Sequence, residues 1–92
     1  KLIGIGGLNE DPYTINNKIG RIRRFYIAKK YRRKGLGRLL LARIINDAKK
    51  HFNIVVLNTD TVQGDKFYTS SGFLKGTKYM GVSHYLNLYK RI

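Results

Sequence analysis

Arg32, Arg33, Lys34, Gly35, Gly37 and Arg38 form the one stretch of this 92-residue chain whose residue types and spacing together suggest chemistry. They sit where Tyr26-Ile27 passes through a basic loop, residues 28 to 34, into a long amphipathic segment that starts at Leu36. The chemistry would be anion binding. The first-turn amides of a helix lack internal partners, and the helix dipole adds about half a positive charge there. Glycines at 35 and 37 remove side chains that would block a phosphate. Arginines supply forked donors as well as charge. The Gly-x-x-x-x-Gly-Lys-Ser/Thr loop of nucleotide triphosphatases is absent, and so is the three-glycine dinucleotide fingerprint. A solvated basic face fits the same residues, so local chemistry leaves both readings open.

The surrounding elements are those that could hold such a loop. Leu2 to Leu8 reads as a buried strand with three glycines that permit close backbone approach. Residues 9 to 18 carry turn chemistry in Asn9-Glu10-Asp11-Pro12 and Asn16-Asn17. Ile19 to Ile27 alternates, with Ile19, Arg21, Arg23, Phe25 and Ile27 on one face and Ile22 and Tyr26 on the other. Leu36, Leu40, Ile44, Ala48 and Phe52 recur every fourth residue, and Leu39, Leu41 and Ile45 widen the stripe. That predicts an amphipathic helix from Leu36 to Phe52, about four to five turns long. Ile54-Val55-Val56-Leu57 is a strand buried on both faces. Asp60 or Thr61 starts a second helix, with Asp60 the favoured cap, and Gly72 is a left-handed stop. Leu74 to Tyr79 and Val82 to Tyr89 read as a hairpin turning near Met80-Gly81, with Tyr85, Asn87 and Tyr89 opposite His84, Leu86 and Leu88. The order β-β-α-β-α-β-β gives a mixed α/β layered sheet in one domain, residues 1 to 92.

Composition narrows the partners. At 42% apolar and 26% charged residues the chain is globular rather than disordered. No apolar run approaches the ~20 residues that cross a bilayer. Without cysteine there is no disulfide framework or thiol nucleophile, no metal site is expected, and the cytoplasm is the default compartment. The net charge of +14 calls for anionic partners. Ten of the nineteen Lys and Arg residues fall between Lys18 and Arg38, whereas Glu10, Asp11, Asp47, Asp60 and Asp65 are scattered. The chain opens at Lys1, its only methionine is Met80, and its first residues already read as a strand. These features lead us to expect that N-terminal material is missing.

Arg32-x-x-Gly35-x-Gly37 resembles the acyl-CoA signature of the GNAT N-acetyltransferases. Phe25-Tyr26-Ile27 and Tyr31-Arg32 match the frame around it. Phe67-Tyr68-Thr69-Ser70-Ser71-Gly72-Phe73 resembles the family's Phe-Tyr-x-x-x-Gly-Phe segment. The two motifs stand in the right order, separated by an amphipathic helix and a buried strand, and the resemblance covers most of the chain. It implies the acyl-CoA N-acyltransferase fold without its N-terminal elements, with acetyl-CoA as co-substrate. It implies that backbone amides from Arg33 through Lys34, Gly35, Leu36 and Gly37 to Arg38 hold the pyrophosphate, and that Phe25, Tyr26 and Ile27 pair with pantetheine. An amide of Tyr26 or Ile27 would polarise the acyl carbonyl, Tyr68 would protonate the departing thiolate, and an amine would attack directly. An aromatic on a short helix is also ordinary core, which is the competing reading of Tyr68.

The sequence departs from the family in places. Ile19 to Ile27 carries no acid where many relatives place a glutamate base. Glu10 and Asp11 read as solvated turn residues. His84 has a suitable reference pKa, but a lone histidine in a strand is more often structural, and His51 reads as a complement to the helix dipole. Thr61 stands where relatives often have an asparagine. The missing N-terminal elements would normally help form the acceptor wall. The leading expectation is an N-acetyltransferase acting on an unidentified amine. The alternatives are a non-catalytic acyl-CoA-binding domain and, less favoured, a basic nucleic-acid-binding module. A short domain with open sheet edges also has reason to form a homodimer.

Overall fold

Four consecutive β-branched or leucine side chains make the spine of the sheet. In the computed structural model, which describes residues 4–13, 18–32 and 35–88, Val55, Val56 and Leu57 are all buried. They belong to β3, Ile54–Leu57. Around it lie β1, Gly4–Glu10, and β2, Ile19–Ile27, with β4, Leu74–Lys75, and β5, His84–Asn87. The five strands run in the order β1-β2-β3-β5-β4. Among the described residues only β2 and β3 pair in parallel, and α1, Leu36–Ala48, crosses between them. A second helix, α2, Val62–Ser70, joins β3 to β4. The element order and the mixed α/β sheet are those expected from the sequence. No described helix is long and apolar enough to cross a membrane.

Both helices feed one core. Leu41, Ile44 and Ala48 from α1 meet Tyr68 of α2, Phe73, and the strand residues Ile22, Val55 and Leu57. The opposite face carries a smaller cluster of Ile19, Val56 and Val82, flanked by Tyr79 and Tyr85.

Several boundaries differ from the sequence reading, each for a local reason. β1 is an edge strand rather than a buried one, and it runs on through Asn9 and Glu10, which pair with Arg21 and Gly20. Leu2 and Ile3 lie outside the described residues. α1 ends at Ala48, because Lys50 and His51 donate to carbonyls three residues back and tighten the chain. That turn swings Phe52 onto Gly20, where even a methyl group would come within 2.6 Å of the ring. The buried stripe centres on Leu41, Ile44 and Ala48, leaving Leu39 61% exposed. Thr61, not Asp60, caps α2, its hydroxyl accepting from the Gly64 amide at 2.9 Å. Gly72 takes the expected left-handed conformation at φ +100°. His51 lies in the turn beyond α1, edge-on to Phe52.

The alternation of β2 breaks midway. Two steps on β1, from Ile5 to Gly7, oppose three on β2, from Tyr26 to Arg23. The extra residue is a β-bulge, and Arg24 within it has φ +56°. The bulge shifts the phase, so Ile22 and Phe25 both pack on the helix-side core while Ile19 packs on the other face. The hairpin strands are also shorter than the alternation predicts, because residues 76–83 leave the sheet and carry Tyr79 and Val82 over its second face. Tyr89 lies outside the described residues.

Arg21 ties that excursion down. Its Nε donates to Asp11 Oδ1 at 2.8 Å, its Nη1 to the Gly81 carbonyl at 3.0 Å and its Nη2 to the Met80 carbonyl at 2.8 Å. Asp11 is therefore buried and ion-paired rather than a solvated turn residue. Removing one member of a buried pair strands the other charge, at a cost of roughly 3–5 kcal/mol. Asp11→Ala should lose about that much in urea unfolding. Asp47→Ala, which breaks an exposed 3.8 Å contact to Lys50, should change stability by less than about 0.5 kcal/mol.

Candidate functional site

Parallel pairing between β2 and β3 stops at Arg21 opposite Val56. Beyond that point β2 continues to Ile27 beside β1, while β3 ends at Leu57. Aromatic rings occupy the opening. Phe25 lies 5.6 Å from Phe67 and 6.1 Å from Tyr68 between centroids, Phe67 and Tyr68 are 5.1 Å apart, and Tyr68 meets Phe73 edge-on at 5.5 Å. These are tilted or edge-to-face pairs at distances where aromatic rings attract.

Two clefts meet at this wedge. One, of about 670 Å³, is lined by Phe25, Tyr26, Ile27, Arg32, Phe67 and Tyr68, with Lys29, Thr59, Thr61, Gln63 and Gly64. The other, of about 610 Å³, is lined by Tyr13, Arg21, Arg23, Arg24, Asn58 and Gly81 together with Ile22, Phe25, Leu57, Thr59 and Tyr68. Phe25, Thr59 and Tyr68 belong to both walls.

Five residues singled out from the sequence thus share one cleft: Phe25, Tyr26, Ile27, Arg32 and Tyr68. Arg32 is held against the end of β2, its Nε donating to the Ile27 carbonyl at 2.9 Å and its guanidinium 5.3 Å from the centre of the Tyr26 ring. Gly37 flanks the cleft, since a methyl there would stand 3.5 Å from Ile27 and Phe67. Gly35 is the N-cap of α1 at φ +76°, in a left-handed conformation that favours glycine, with open space around it. Leu36 turns instead to a separate hollow with Gly4, Leu39 and Leu40. Arg38 bridges the helices, Nη2 donating to Ser70 Oγ at 2.9 Å. Arg33 and Lys34 lie outside the described residues.

Lys29, Thr59, Gln63 and Gly64 were not anticipated as lining residues. Only Thr61 had a signal, its place seven residues before Tyr68. Gly64 is required by the cap itself, since a methyl there would come within 2.8 Å of Thr61 Oγ1.

Burial pushes the Tyr68 phenol above its ordinary value of 10.0. It therefore stays protonated across the neutral range, on the wall that the two clefts share. His84 is only 1% exposed and lies beneath it, ring centroids 6.1 Å apart. The Thr59 amide donates to Ser83 Oγ at 2.9 Å, leaving the Ser83 hydroxyl proton for His84 Nδ1 at 2.7 Å. A carboxylate only accepts, so His84 Nε2 carries the hydrogen facing Asp65 Oδ1 at 2.8 Å. With both ring nitrogens engaged, His84 bolts β5 to α2.

Residues 1–75 match the acetyltransferase (GNAT) domain family. Solved structures share the fold. A candidate acetyltransferase from Exiguobacterium sp. 255-15 superposes with a TM-score of 0.81 at 27% identity, over 92% of this chain and 54% of that one. A GNAT-family acetyltransferase from Staphylococcus aureus Mu50 gives 0.80 at 21% identity, covering 96% and 61%. The Salmonella typhimurium protein yncA, solved with its cofactor acetyl-CoA, gives 0.75 at 18% identity, covering 98% and 60%. The chain thus spans between about half and about three-fifths of the length of these proteins.

The hydrogen bond from His84 holds the Asp65 carboxyl below its ordinary value of 3.8, burial opposes this, and Lys75 at 3.4 Å assists. A carboxyl with a depressed folded pKa stabilises the fold above its unfolded value, and that contribution disappears as pH falls through the folded value. Asp65→Asn should flatten the acid side of the stability curve below about pH 5. Urea unfolding as a function of pH checks this; an unchanged acid slope would remove the Asp65–His84 bond from the account.

Proposed function

The chain belongs to the GNAT acetyltransferase domain family, and on that premise we propose that it transfers an acetyl group from acetyl-CoA to an amine by direct attack. The observation that carries this reading is Tyr68, a protonated phenol on the wall common to both clefts. One cleft would take the thioester and the other the amine.

The fit to the co-substrate rests on shape and charge. The open edge of β2 from Phe25 to Ile27 offers a backbone edge and an aromatic floor to an extended amide-bearing arm. Arg32 and the amides from Arg33 to Arg38 would receive the phosphates at the start of α1. Gly35 leaves the approach to that helix end clear. An amide of Tyr26 or Ile27 would donate to the acyl oxygen. The amine lone pair forms the new C–N bond as the thioester C–S bond breaks. The Tyr68 hydroxyl gives its proton to the departing sulfur, the surplus proton on the new amide nitrogen leaves to water, and water returns a proton to the phenolate.

A non-catalytic acyl-CoA-binding role is the second reading. It is favoured by the linings themselves: among the described residues neither cleft wall includes a carboxylate or a histidine that could act as base. Mixing the protein with acetyl-CoA and a panel of amines, and following free thiol, separates the two. Thiol release that requires the amine supports transfer. Tight CoA binding with no release across the panel supports the second reading.

Tyr68→Phe should lower kcat by about 100-fold or more while leaving CoA affinity within a few-fold. An unchanged rate at all pH values would return Tyr68 to the core. Gly35→Glu should abolish CoA binding in a protein that still unfolds cooperatively. It adds strain at a positive φ and sets a carboxylate in the phosphate path.

A further inference from the structure

We propose that the amine acceptor is a small molecule bearing a carboxylate, held by Arg23 and Arg24 in the cleft opposite the CoA side. The proposal rests on the transfer reading above and narrows its substrate class.

Three arginines line that cleft, and they are not equivalent. Arg21 is committed elsewhere: it is buried and ion-paired to Asp11, and all three of its nitrogens donate, to Asp11, Gly81 and Met80. Arg23 and Arg24 are exposed, and among the described residues neither has an ion-pair partner. No acidic residue is among the described residues lining the cleft. Two uncompensated guanidiniums in one hollow raise the local potential and attract anions.

The backbone is arranged to produce this pair. On a regular strand consecutive side chains point to opposite faces. Here the bulge at Arg24, with φ +56°, lets neighbouring arginines line the same cleft while Ile22 and Phe25 on either side of them stay with the core. A left-handed non-glycine residue is strained, and such strain gathers at functional sites. Paired guanidiniums match the planar fork of a carboxylate. They repel a simple alkylammonium ion, whereas an amino acid's carboxylate offsets that repulsion. A cleft of about 610 Å³ suits a small ligand, and Tyr68 on its wall puts the amine end next to the proton donor.

The test compares acceptors that differ only in the carboxylate. Free amino acids and their amides are assayed for amine-dependent thiol release. In parallel, N-acetyl amino acids and their amides are titrated into the protein with CoA present. The acids should show at least tenfold higher kcat/KM and tighter binding than their amides. The preference should vanish in Arg23→Gln/Arg24→Asn, where asparagine keeps a side chain that tolerates positive φ, and weaken in Arg23→Gln alone. Amides that match or exceed the acids overturn the proposal, and so does a preference that survives in the double variant. If no amine is acetylated, the transfer reading fails, and the binding arm still decides whether the cleft selects a carboxylate.

Discussion

The parting of β2 from β3 after Arg21 and Val56 is the constraint on which the rest of the structure depends. Parallel strands that stayed paired would close the sheet and leave no backbone edge for a ligand. Here the edge is kept open by covalent geometry and by packing together. The bulge at Arg24 re-aims the second half of β2. Phe25, Phe67 and Tyr68 then fill the space that a longer β3 would have taken. The opening is therefore a packed wedge with a cleft on each side, and Tyr68 is common to both walls.

Polar bolts hold the pieces that flank the wedge. Asp11 and Arg21 fasten the 76–83 excursion across the second face, which otherwise has only a small apolar cluster. Asp65, His84 and Ser83 fasten α2 to β5 directly under Tyr68. Asp11, Arg21 and His84 are buried, where an unmade hydrogen bond costs most, while Asp65 and Ser83 are partly exposed. Stability and site geometry are thus carried by the same groups.

The helix stripe, the β-branched run at Ile54 to Leu57 and the glycine stop at Gly72 were legible in the sequence because each depends on local periodicity or local backbone freedom. The basic glycine-flanked segment from Arg32 to Arg38 is legible as residue types, and only its resemblance to a family turns charge into a CoA expectation. What escaped was non-local. The bulge at Arg24 leaves no mark in the alternation of β2 until β1 is laid against it, so strict alternation puts Ile22 and Phe25 on opposite faces although both pack on one. Asp11 looked like turn chemistry because its partner Arg21 lies across a loop. The hairpin strands are shorter than the alternation suggests because Tyr79 and Val82 alternate as strand residues yet are pulled off the sheet to cover Val56. His84 could be weighed in sequence only as a lone histidine, since Asp65 comes within 2.8 Å only in the fold.

In the proposed function, the start of α1 and the open edge of β2 together hold CoA. Residue-resolved amide shifts during a CoA titration test it most directly. The largest changes should fall on Gly35 to Arg38 and on Phe25 to Ile27, saturating together at one affinity. Saturable binding that leaves both segments unmoved, with shifts confined to other parts of the sheet, would contradict it.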